Sequence, residues 1–197
     1  MTPPSIRFRV TGQSKEHAMS EKPSYLGLLN AISLAETRAC EYLSEWIDVT
    51  PSPEVRRVLV TVAAREGEHG LAFKKRIVEL GYELRPKADP SQVKRMAIAT
   101  SKRTDLEKFE KFGLADLEGR DLKFLEGIFK DHSIDVRTGE LLGRYIAEEY
   151  DTARLLRSCY ELLKEHAART SNGSAKTNGR AKANGRTKPR TKASSSR

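Results

Sequence analysis

Four glutamates of this chain fall where a leucine would fit better. Glu36 interrupts the stripe Leu29, Ile32, Ala39, Leu43 and Ile47, and Glu66 and His69 interrupt Val55, Leu59, Val62 and Phe73. Glu118 sits between Leu114 and Leu125, and Glu148 between Tyr145 and Leu155. These stripes have the three- and four-residue spacing of a helix face turned to a core. A lone carboxylate buried there is costly unless its charge is compensated, and four converging on one core repel each other. Arg38 and Arg120 lie two residues beyond Glu36 and Glu118 and so point elsewhere, which leaves no matching set of inward cations. Two divalent cations would balance the four carboxylates, and the neutral imidazole of His69 adds a nitrogen donor. Oxygen-rich sites with an imidazole suit iron or manganese better than copper or a closed structural zinc site.

The segment Glu66-Gly-Glu-His69 also has the required mechanics, because side chains three residues apart on a helix project toward one point. A single pair of this kind is a weak signal. A surface glutamate and a hydrogen-bonded core histidine would account for it equally well. The strength lies in the full set, one carboxylate per helix in register.

The elements that must position these residues are four long helices. The first is predicted from about Ser24 to Val49. The second begins at Pro51-Ser-Pro-Glu54, where Ser52 can cap and Pro53 suits the first helical position, and it stops at Gly81. A third starts with the capping-box pattern Thr104-Asp-Leu-Glu107 and is expected to continue through Leu114, Leu117, Leu125 and Ile128. A fourth follows Asp135 and carries Leu141, Tyr145, Leu155, Cys159 and Leu162. Short links near Thr50 and Ser133 imply antiparallel hairpins, and the stretch from about Tyr82 to Arg103 is a long crossover. The expected fold is all-α, an antiparallel four-helix bundle of two hairpins. A shift of 82 residues aligns Glu36 with Glu118, Tyr42 with Phe124, Leu59 with Leu141, Glu66 with Glu148 and Leu80 with Leu162, as two hairpins of common design would.

The bundle occupies residues 23–168 of the 197, between two extensions. The formal net charge of +9 lies entirely in residues 169–197, which hold five Arg, four Lys and no acid. This Asn-Gly-repeating tail has no large apolar residue, so disorder is expected, with non-specific, salt-dependent attraction to nucleic acid or no partner at all. Residues 1–22, rich in Pro, Ser and charge, read as a flexible arm in which Ile6, Phe8 and Val10 could alternate as a short strand. Two cysteines exclude a disulfide scaffold, and no apolar run approaches the ~18 residues of a membrane helix. Without a continuous apolar leader, the cytoplasm is the default location. Cys40 and Cys159 read as small buried hydrophobes.

Glu36, Glu66-x-x-His69, Glu118 and Glu148-x-x-Asp151 together resemble the ligand pattern of the ferritin-like di-iron carboxylate superfamily, and the two-hairpin repeat is most similar to its rubrerythrin group. The resemblance covers residues 24–166. It implies a ferritin-like fold and two iron ions, with manganese as the alternative. Glu36 and Glu118 would each serve one metal, Glu66 and Glu148 would bridge both, and His69 would end one side. Asp151 stands where the family has its second histidine. Asp121 stands where rubrerythrins carry a further glutamate, and an ordinary surface residue explains it equally well. There is no Cys-x-x-Cys pair, so an electron donor must be external.

The resemblance implies an oxidoreductase that reduces peroxide, or oxidises Fe(II) with O2 or peroxide, and a homodimer. Within enzymes the competing expectation is a di-iron hydroxylase of RNA or a small metabolite. Outside them it is a non-catalytic bundle with a degenerate metal site that binds nucleic acid through its tail. The tail can be tested separately. Deleting residues 169–197 should leave metal content and peroxide turnover nearly unchanged while abolishing any nucleic-acid binding. Before deletion, that binding should weaken steeply with salt in a filter-binding or anisotropy titration.

Overall fold

The computed structural model describes residues 22–114 and 127–181. The proposed N-terminal strand, Glu118, Asp121 and residues 182–197 lie outside the described residues. Among those described the chain is all-helical, with five α-helices, one short 3-10 turn and no strand. None of these helices is long and apolar enough to cross a membrane.

Helix α1 spans Leu26–Val49 and α2 spans Pro53–Glu79. The α2 start uses the expected device: Ser52 Oγ accepts from the Val55 N–H at 3.3 Å, with Pro53 next to it. Its end is set at Gly81, whose φ of +84° is a left-handed conformation that glycine adopts freely. The two helices run antiparallel and approach closely, as Ser33 Oγ donates to the Gly70 carbonyl at 2.8 Å. A Cβ on Gly70 would lie 2.6 Å from Thr37 Oγ1 and 3.1 Å from the Thr37 nitrogen, so this glycine sets how near α1 can come.

The crossover contains its own helix, α3 (Ser91–Ala99), and then α4 (Asp105–Phe112). The predicted capping box is present: Thr104 Oγ1 accepts from the Glu107 N–H while the Glu107 carboxylate accepts from the Thr104 N–H. The continuous helix expected from Thr104 to Ile128 is not what forms. α4 stops after two turns because Gly113 takes the left-handed conformation, φ 68°, and ends it with a C-terminal cap. The next described element is a 3-10 turn at Gly127–Lys130.

Helix α5 is 46 residues long, Val136–Ala181, and so takes in the first part of the basic tail that was expected to be disordered. Once a helix is nucleated on a packed base, each added residue gains a hydrogen bond without a new nucleation cost, which here outweighs the weak helix preference of the Ser, Asn and Gly in residues 171–181. α5 lies antiparallel to α2, with Arg76 Nε bonded to Thr138 Oγ1 at one end of the contact and Arg65 reaching Thr152 further along. It lies parallel to α1, where Tyr25 OH donates to Asp135 and Tyr145 OH to Glu36.

The apolar interior falls into two clusters. One contains Leu29, Ile32, Phe73, Ile77, Leu142 and Tyr145. The other contains Leu43, Trp46, Leu59, Val62, Phe109 and Leu156. In the second, Asp105 at the start of α4 accepts from Trp46 Nε1 and Thr50 Oγ1, both at 2.7 Å, and all three residues are buried. Lys108 Nζ, also buried, donates to the Ala99 carbonyl and ties α4 to α3. Asp105→Ala leaves two buried donors unsatisfied and should cost about 2–4 kcal/mol in denaturant unfolding, with Thr50→Val far milder.

Candidate metal centre

Between the two apolar clusters lies a polar layer. Glu36 of α1 and Glu66 of α2 are each 6% exposed, and His69 of α2 is 3% exposed. Together with Glu149 of α5, each offers a ligand atom, and these atoms all lie within 4.8 Å of one another. Buried polar atoms normally find hydrogen-bond partners. Here Glu36 Oε2, His69 Nδ1 and Glu149 Oε1 have none, and Nδ1 faces Glu149 Oε1 at 3.7 Å.

The remaining bonds fix the orientation of these groups. Tyr145 OH donates to Glu36 Oε1 at 2.9 Å, and burial followed by the charge of Glu36 pushes the phenol well above its usual range. His69 Nε2 lies 2.6 Å from Glu148 Oε2. Burial pushes the Glu148 carboxyl up, but the bonds from Arg144 and His69 outweigh it and hold it below its ordinary range. An ionised Glu148 can only accept, so Nε2 carries the shared proton, and in the neutral imidazole Nδ1 presents its lone pair to the cluster. A carboxylate holding the far nitrogen is the usual support of a metal-ligating histidine.

Without a cation the cluster must keep protons. Burial, then a hydrogen bond and charge repulsion from Glu36, push Glu66 far above the usual carboxylate range. Burial and then the charge of Glu36 raise Glu149 to about 7, with Arg65 pulling the other way.

The geometry sorts the candidates read from the sequence. Glu36, Glu66 and His69 come together as expected. The α5 carboxylate in the group is Glu149, while the neighbouring Glu148 touches His69 from outside it. Asp151 forms an ion pair with Arg65 at 2.6 Å and a second with Arg154, and it is not in the group. Both ion pairs hold its carboxyl below the ordinary range, with the Arg65 bond foremost. Glu118 and Asp121 lie outside the described residues. Two residues near the site lie outside the set drawn from the helical stripes. Glu149 belongs to the stripe Leu142, Tyr145, Glu149, Thr152, Leu156 and Cys159, whose spacing alternates three and four without a break. Arg65 starts on the flank of α2, outside the apolar stripe, and reaches α5 beside the site.

No protein-family model matches this chain, and neither a curated protein nor a solved structure is found to be similar to it. The described residues are all-helical and bring together a carboxylate–histidine group whose ligand atoms lie close enough to hold a metal ion. Glu149→Gln should remove most divalent-cation binding in a chelator-competition titration. Glu148→Gln should weaken it ~10–100-fold by loosening His69. The reverse ranking would return the ligand role to Glu148.

Proposed function

We propose that this chain is a metal-dependent oxidoreductase of the ferritin-like, rubrerythrin-like kind, using iron or manganese to reduce peroxide or to oxidise Fe(II) with O2 or peroxide. The four-helix architecture belongs to this proposal, with Glu118 as a further carboxylate that would serve a second metal position. The observation that carries it is the convergence of three unbonded buried atoms, Glu36 Oε2, His69 Nδ1 and Glu149 Oε1, beside the buried Glu66. A carboxylate-rich donor set with one imidazole fits iron or manganese. When bound, reduced iron would supply the electrons that convert peroxide to water.

The residues have definable parts in this reading. Glu36, Glu66, Glu149 and His69 Nδ1 hold the ion. Tyr145 keeps Glu36 in one rotamer, and Glu148 keeps the His69 proton on Nε2. Glu66 and Glu149 give up protons as the cation enters, so cation and proton compete. A cavity of about 260 Å³ beside Glu36, Glu66 and Glu149, walled by Ala39, Leu43, Val62 and Leu156, gives a small oxidant room to approach. With no Cys-x-x-Cys pair in the chain, reducing equivalents come from an external donor.

One observation favours the non-catalytic reading: Asp151, which stands where the resemblance places a second ligand, is committed to Arg65 and Arg154. Metal content decides between the two. Protein purified without chelators should carry iron or manganese, and the iron-loaded form should consume peroxide at the expense of an added reductant. Metal uptake at pH 7 should release protons, seen as a buffer-dependent heat in calorimetry, and affinity should rise as pH increases through about 7, where Glu149 loses its proton. Metal-free protein that takes up no iron or manganese would overturn the proposal.

A further inference from the structure

α2 and α5 face each other antiparallel, and each carries a core glutamate with a partner three residues on: Glu66 with His69, and Glu149 with Thr152. The two halves are chemically unequal. His69 offers a basic nitrogen to the cluster. Thr152, buried and lining the same cavity as Glu36, Glu66 and Glu149, offers only a neutral hydroxyl. That hydroxyl also has a neighbour: Arg65 Nη1 donates to Thr152 Oγ1 at 3.4 Å, while Arg65 Nη2 lies 2.6 Å from Asp151 Oδ2. Asp151 thus anchors a permanently charged guanidinium on the α5 side of the site.

Glu36, Glu66 and Glu149, once ionised, carry three negative charges, of which one divalent cation compensates two. The charge of Arg65 is matched by Asp151, but its guanidinium sits on the side where a second ion would gain, among the described residues, only the neutral hydroxyl of Thr152 as a donor.

Resting on the metal-binding reading above, we propose that the centre retains one divalent cation on Glu36, Glu66, His69 and Glu149, and that Arg65, anchored by Asp151 against Thr152, makes any second cation position weak and exchangeable. Arg65 is in this sense a specificity-determining residue for metal stoichiometry, and Asp151 acts through it.

The test is titration of metal-free, full-length protein with Mn2+ alone, read by calorimetry and by equilibrium dialysis with metal analysis. Wild type should take one tight ion per chain. Arg65→Gln should tighten a second binding step by roughly tenfold or more, since it removes a cation and leaves the Asp151 carboxylate without its Arg65 partner beside the site. Arg65→Gln combined with Thr152→His should bring two tight ions per chain. Arg65 is partly exposed, so Arg65→Gln should fold and answers alone should the double variant not do so, with circular dichroism as the check. Two equally tight ions in wild type would overturn this inference and leave the metal-binding reading standing. No ion at all would overturn both. A second step unchanged by Arg65→Gln would remove Arg65 from the account.

Discussion

Three carboxylates and an imidazole placed midway along a helical core form a layer of charge between two apolar clusters, and the rest of the structure is organised around tolerating it. Apolar packing on either side excludes water from the layer, which raises the cost of every unpaired charge in it. Without a cation, burial and the charge of Glu36 favour a proton on Glu66 and raise Glu149 to about 7; in the proposed metal-bound form a cation would take the place of those protons. The helices must be stiff enough that the ligand atoms stay together in both.

That stiffness comes from contacts on both sides of the layer. At one end, Arg76 of α2 spans Thr138 and Asp135 at the start of α5, and Tyr25 donates to the same aspartate. Burial works to raise the Asp135 carboxyl, but the bonds from Thr138, Arg76 and Tyr25 outweigh it and hold the group ionised far below its ordinary range. At the other end, Asp105 joins Trp46 and Thr50. Between them the Gly70 backbone lets α1 settle against α2 one residue from His69, so the distance from Glu36 to Glu66 is set by the absence of a side chain. Positioning is thus distributed: no ligand is held by its own helix alone.

The sequence made α1 and α2 legible because apolar stripes run along both helices, interrupted at Glu36, Glu66 and His69. Glu36, Glu66 and His69 were visible as polar intrusions for that reason. On α5 the apolar residues are dense enough to support two phases. Leu141, Tyr145, Leu155, Cys159 and Leu162 suggest one register, and Leu142, Tyr145, Leu156 and Cys159 another. The second is the buried one, while Leu141 packs only partly against the core and Leu162 is half exposed. The difference is one residue, about 100° of rotation, and it exchanges Glu148 for Glu149 and Asp151 for Thr152. The third helix was overextended because an apolar period on both sides of Gly113 hid the left-handed cap that ends α4. Arg65 was illegible for a different reason. A long side chain can cross from the flank of one helix to another, and periodicity reports only where a side chain starts.

The lone tryptophan gives the fold an optical property of its own. Trp46 is fully buried, stacked on Phe112 at 5.5 Å and edge-on to Phe109 at 5.1 Å, with its indole N–H on Asp105. All three of those partners belong to α4. The intrinsic fluorescence of the whole chain's only indole is therefore governed by a two-turn helix docked on α1. Undocking α4 would wet the indole and redden its emission even with α1, α2 and α5 still in place, whereas an event confined to the carboxylate layer would leave the chromophore's immediate surroundings intact. The protein carries a built-in reporter that distinguishes movement of its crossover from changes at its centre.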